Sequence, residues 1–212
     1  MTALAYTVAF EGIEARIVEV QCAVTPGIPA FTIVGLADKA VSEARERVRS
    51  ALSALQIALP SKRITINLSP ADMPKIGSHF DLPIALALLA ALDIIPADDA
   101  ARTVALGELS LNGDLVAVVG ALPAAMAAAT EDRQLLCPHA CGAEAAWVGN
   151  ARVIAPRSLA AVIRHFNGKS VLAPSEPGEV RGPARARDLS EVKGQERAKR
   201  ALEIAAAGRH HL

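Results

Sequence analysis

Apolar and polar positions alternate along "AYTVAF" and "IEARIVEVQCAV", and both runs are rich in β-branched residues. That period of two predicts a pair of strands joined around Glu11-Gly12. "TPGIPA" reads as a loop and "FTIVG" as a third strand. From Ala37 to Leu55 the period changes: Val41, Ala44, Val48, Leu52 and Leu55 recur at helical spacing. Glu43, Arg45, Glu46, Arg47 and Arg49 occupy the other face. "RITINLSP" predicts another strand and Leu82 to Leu92 an apolar helix. In "TVALGELSLNGDLVAVVG", Asn112-Gly113 sits between two strand-like runs, a strong short-range hairpin pattern. A helix over about Leu122 to Thr130 follows. Short strands "QLL" and "RVIA", with helices between and after, end near Phe166. Strands and helices are mixed rather than strictly alternating, which predicts an α+β or mixed α/β domain over residues 1–166.

From Asn167 the pattern stops. "NGKSVLAPSEPGEVRGPARARD" is dense in proline and glycine and reads as a linker over residues 167–187. "DLSEVKGQERAKRALEIAAAG" then opens with an N-cap pattern and continues as a polar-faced helix, so a second unit begins within residues 188–212.

Composition narrows the classes. Hydrophobic residues make up 52% and aromatic residues 3%, so the core is built from Ala, Leu, Val and Ile. Formal net charge is zero, which excludes a uniformly basic nucleic-acid sponge but leaves room for a local basic patch. Acidic Glu11 and Glu14, without a basic n-region, exclude a signal peptide. The apolar run Leu82 to Leu92 is shorter than the ~20 residues a bilayer span needs, so no membrane partner is expected. Three cysteines do not build a disulfide framework, and a reducing cytoplasm is the expected location.

"PKIGSHFDLPIALALLAAL" places Ser78, His79 and Asp81 together at the head of the apolar helix. These are the residue types of a hydrolytic triad. Neighbouring positions on a helix point about 100° apart, however, so Ser78 and His79 do not face each other. The physical reading is helix initiation, with Ser78 or Asp81 as N-cap and Pro83 in the first turn. "CPHAC" offers Cys137, His139 and Cys141, one ligand short of a closed zinc site, so no metal is expected. Lys62, Arg63, Lys75, Arg47 and Arg49 form a candidate DNA-binding set, with Arg45 beside them. The competing reading is a solvated helix face, because Glu43 and Arg47 form an ordinary i,i+4 pair. No aromatics are interleaved for base stacking.

"FTIVGLADKAVSEARERVRSAL", "ITINLSPADMPKIG", "FDLPIALALLAAL", "LGELSLNGDLVAVVGALPAAMAA" and "DLSEVKGQERAKRALEIAAAGRHHL" together resemble the YifB/ComM family of Mg-chelatase-like AAA+ ATPases. The resemblance runs in order through essentially the whole chain. It implies an N-terminal domain with the Lon-protease catalytic-domain fold, followed by the start of an ATPase module. Lon-type peptidases pair a serine at the head of this helix with a lysine after the hairpin. Laid against those motifs without gaps, this sequence puts His79 at the serine position and Pro123 at the lysine position. Proline has no amine to act as a general base, so no catalytic residue is assigned. "VKGQ" resembles the segment that lies against adenine, which implies an adenine-side role for Val192, Gly194 and Gln195 in the full-length protein. The phosphate loop GxxxxGK[ST] does not occur in these residues. The resemblance further implies ATP and Mg²⁺ in the full-length protein and a hexameric homo-oligomeric ring. That ring would be a helicase moving branched DNA in recombination during natural transformation. The N-terminal domain would serve ring assembly or DNA contact. The other readings are a Lon-like Ser-Lys peptidase and a magnesium-chelatase-type metal-insertion motor.

Overall fold

The computed structural model describes residues 2–179 and 188–211. The opening alternation becomes β1 (Thr2–Glu11) and β2 (Glu14–Thr25), antiparallel from Thr2↔Ala23 to Glu11↔Glu14. β3 (Ala30–Val34) follows, then α1 (Lys39–Ala54) and β4 (Arg63–Ser69). Asp38 starts α1 as its N-cap, its Oδ1 accepting from Val41 N at 2.7 Å. The buried face of α1 is Val41, Ala44, Val48, Ala51 and Leu52.

α2 (Asp81–Ala91) differs from a half-buried helix, since every one of its residues is buried. Fully buried leucines such as Leu86, Leu88 and Leu89 each contribute about 1.5–3 kcal/mol. Neither Ser78 nor Asp81 caps it. A 3-10 turn, Ser78–Phe80, leads in, and Phe80 holds the cap position without a side-chain bond. The first-turn amide of Leu82 instead donates to Gly107 O at 3.0 Å, so the backbone of another segment satisfies it.

Beyond α2 come α3 (Ala97–Ala101), β5 (Thr103–Ala105), β6 (Glu108–Leu109) and β7 (Leu115–Val116). The run expected as one strand before Asn112 is therefore split. "TVA" joins the main sheet, while Glu108 and Leu109 pair with β7 in a small hairpin. The connection is a five-residue turn over residues 110–114, in which Gly113 takes φ 88° and its N–H donates to Ser110 O at 3.0 Å, rather than a two-residue Asn-Gly turn. α4 (Ala121–Thr130), β8 (Gln134–Leu136), α5 (His139–Ala145), β9 (Val153–Ile154) and α6 (Leu159–Phe166) complete the pattern.

The main sheet has seven strands in the order β3-β4-β2-β1-β5-β8-β9. β2 alone runs against the others, so the sheet is mixed and mainly parallel. Odd positions of β1 (Ala3, Ala5, Ala9) enter one apolar layer with Leu52, Leu86 and Val162. Even positions (Tyr6, Val8, Phe10) face the other layer, with Ala124, Leu135 and Cys137. Both faces are covered, as in a mixed α/β architecture.

The first compact unit runs Met1–Gly178 and the second Glu179–Leu212. Part of the stretch expected as linker thus packs on the first unit. Leu172 N donates to His165 Nδ1 at 3.0 Å, Ser175 N to Val153 O at 2.8 Å and Gly178 N to Ala143 O at 3.0 Å. Proline and glycine exclude regular structure, and they leave such single amide contacts intact. The rest of the expected linker, residues 180–187, lies outside the described residues. In the second unit Asp188 Oδ1 accepts from Ser190 N at 2.8 Å, and α7 (Glu196–Gly208) follows.

Candidate functional site: the groove at His79 and a cationic groove

Phe10 and Ile13 of the β1–β2 hairpin, Ser78 and His79 before α2, and Val119 and Pro123 at α4 line one groove of about 700 Å³. His79 and Pro123 therefore both line this groove. Ile13 and Val119 are each 92% exposed, so the groove is bordered by apolar side chains in water. His79 itself is buried, with ring centroids 5.3 Å from Phe10 and 4.4 Å from Phe80. Its Nε2 lies 2.9 Å from Val8 O; a carbonyl only accepts, so Nε2 carries the proton and donates. Burial pushes the imidazole below its usual range, with the Val8 bond opposing, and the ring is held neutral.

The Ser78, His79, Asp81 grouping does not form a relay. Asp81 turns to Arg47: Arg47 Nε donates to Oδ2 at 2.6 Å and Nη2 to Oδ1 at 2.9 Å. Leu109 N adds a third bond to Oδ2 at 3.0 Å. The pair clamps α1, α2 and the small hairpin together. Burial raises the Asp81 carboxyl against the opposing pull of Arg47 and the Leu109 amide, while the bond to Asp81 raises Arg47.

The candidate DNA-binding set divides. Arg47 is removed from it, because its guanidinium is spent on Asp81 and on Ala40 O at 3.0 Å. Lys75 is removed as well: it is fully buried. Its Nζ donates to Met73 O at 2.6 Å and to Pro70 O, so the preceding loop wraps the ammonium. Burial pushes Lys75 below the ordinary lysine value. Lys62 and Arg63 remain exposed at the start of β4, with no ion pair among the described residues. Arg49 is exposed on α1, 3.9 Å from Glu46. Arg49 and Lys62 line a second groove of about 380 Å³, with Pro29, Phe31 and Ser53, beside the sheet edge at β3.

"CPHAC" does not converge on an ion. Cys137 is fully buried and burial pushes its thiol up to about 12. His139 is exposed, its Nε2 accepting from Arg157 Nη2 at 2.8 Å. Among the described residues, no three His, Cys, Asp or Glu side chains are grouped to hold a metal. Nor is any helix among them long and apolar enough to cross a membrane. In the second unit Val192 is 43% exposed, and Gly194 and Gln195 take left-handed φ values of 68° and 60° just before α7.

Sequence comparison agrees with this organisation in two pieces. The family described as subunit ChlI of Mg-chelatase matches residues 18–141, and magnesium chelatase, subunit ChlI, matches residues 188–212. The competence protein ComM of Haemophilus influenzae is 41% identical over 216 residues, 99% of this chain and 42% of its own length. The uncharacterized protein YifB of Escherichia coli is 39% identical over 209 residues, 99% of this chain and 41% of its own. An uncharacterized Mycobacterium tuberculosis protein is 38% identical over 209 residues, 98% of this chain and 42% of its own. The chain belongs to the YifB/ComM family of Mg-chelatase-like proteins. It spans about two-fifths of the length of these curated relatives.

Proposed function

We propose that residues 1–178 are a non-proteolytic, Lon-like accessory domain of a ComM-like AAA+ ATPase that acts on DNA. The observation that carries this reading is that His79 and Pro123, the positions matched to the serine and the lysine, line one groove. A Ser-Lys mechanism needs an amine within hydrogen-bond reach of the nucleophile. Here the lysine position is a proline, and the imidazole at the serine position is tied to Val8 O. The competence-protein name of the Haemophilus influenzae relative supports a DNA-directed role. In the full-length protein, ATP with Mg²⁺ would drive a homo-oligomeric ring, and this domain would serve assembly or DNA contact.

The second unit fits an adenine-facing role. Val192 offers an exposed apolar side chain, and a Cβ at Gly194 would meet nothing within 4 Å, so a flat purine could approach the backbone. The nucleotide would supply the free energy for movement along DNA.

The test is an electrophoretic shift assay of the full-length protein on branched and linear DNA across a salt series. Binding that weakens with salt, with branched DNA preferred, supports the reading. Absence of DNA binding at low salt overturns it.

A further inference from the structure

Three neighbouring strands of the parallel half are each preceded by an arginine at the same end of the sheet. Arg102 precedes β5, Arg133 precedes β8 and Arg152 precedes β9, and the three strands are adjacent. The backbone fixes their register: Gln134 N donates to Arg102 O at 3.2 Å and Leu135 N to Arg152 O at 2.8 Å. The arginines line a hollow of about 300 Å³ together with Gln134 and Asn150, and Asp99 and Asp132 also border it.

None of these arginines has an ion pair among the described residues, although two carboxylates share the hollow. Arg133 is half-buried, its guanidinium carbon 3.6 Å from the Tyr6 ring centroid, with Nη1 donating to Ala101 O. Its Nε is buried without an acceptor. Three arginines beside two carboxylates, none of them in ion-pair contact, leave a net positive field and unused N–H donors at the hollow. One oxyanion with several acceptor oxygens relieves the crowding of like charge and supplies acceptors for planar forks arriving from three strands.

We propose that this hollow is a binding site for a phosphate group. Three arginines against two exposed aspartates leave a small positive excess. The site therefore suits a single oxyanion at modest affinity rather than a run of phosphates. It belongs to the β5-β8-β9 half, away in strand order from the β3-β4 edge that carries Arg49 and Lys62.

The experiment is an amide chemical-shift titration of the 212-residue chain with inorganic phosphate, repeated with a short DNA duplex. Arg102→Gln with Arg152→Gln is the test variant; both side chains are exposed, so the fold should persist with an unchanged thermal midpoint. Saturable phosphate shifts at Arg102, Gln134, Asn150 and Arg152, weakened about tenfold or more in the variant, are the expected result. If duplex DNA moves the same amides and phosphate competes, the group is a backbone phosphate; if phosphate alone moves them, the source is a free phosphate. Neither ligand moving these amides, or shifts that survive in the variant, would overturn the proposal.

Discussion

Arg47 and Asp81, thirty-four positions apart in the chain, meet side-on through two hydrogen bonds of 2.6 and 2.9 Å. The Asp81 side chain has no exposure and that of Arg47 is 20% exposed. Removing one partner leaves a buried, unpaired charge. Arg47→Met is therefore predicted to lower stability by about 3–5 kcal/mol, read by urea unfolding. Adding Asp81→Leu should recover much of that loss. A double variant no more stable than the single one would show that the pair is not what holds the two helices.

The groove around His79 predicts chemistry by its absence. Casein incubated with the chain should remain intact, and Ser78→Ala should change nothing. Turnover that vanishes on Ser78→Ala would restore the peptidase reading.

Stability should depend on pH through two imidazoles, buried His79 and partly buried His165. Burial lowers His79 from its ordinary value of 6.5, and lowers His165, with Arg152 adding to the effect. The unfolded chain then binds more protons than the folded one once pH falls below about 6.5. The thermal midpoint should hold above that pH and drop as pH falls through it. His79→Phe should flatten part of the drop, with His165 supplying the remainder. An equal drop in the variant would locate the titration elsewhere.

The cations left exposed make the DNA prediction narrower than the sequence allowed. If the domain contacts DNA as proposed, Lys62→Ala with Arg63→Ala in the full-length protein should weaken DNA binding and flatten log K against log salt by about one unit per lost phosphate contact. Lys75→Ala should act differently, destabilising the loop that wraps its ammonium without that change of slope once folding is accounted for. Unchanged affinity and slope in the double variant would remove Lys62 and Arg63 from the proposed DNA contact.

The long periods were legible. Ten residues of β1, twelve of β2 and sixteen of α1 give alternation or helical spacing enough turns to stand out. β5, β8 and β9, with three, three and two residues, are too short to show a period of their own. In the sequence Arg47 counts as a candidate DNA-binding cation, with a solvated charge as the competing reading. Yet it lies three positions after Ala44 and four before Ala51, on the same stripe of α1 as those buried alanines. That spacing pointed inward, and the positive charge obscured it. Lys75 carries no such mark, because its burial follows from a loop folding round it rather than from a repeat. The row Arg102, Arg133, Arg152 is absent from any local window; only strand order brings it together.

β1 lies in the middle of the sheet although it precedes the sheet's other strands in the chain. β2 and β4 can pair on one side of it within the first seventy residues, but its other edge waits for β5 at Thr103–Ala105. A ribosome adding about 5–20 residues per second leaves that edge open for several seconds, a template for any other unpaired strand. The central place of β1 thus divides synthesis into an early half and a late one. Pulsed hydrogen exchange on stalled chains should find β1 protected on its outer side only when β5 has emerged.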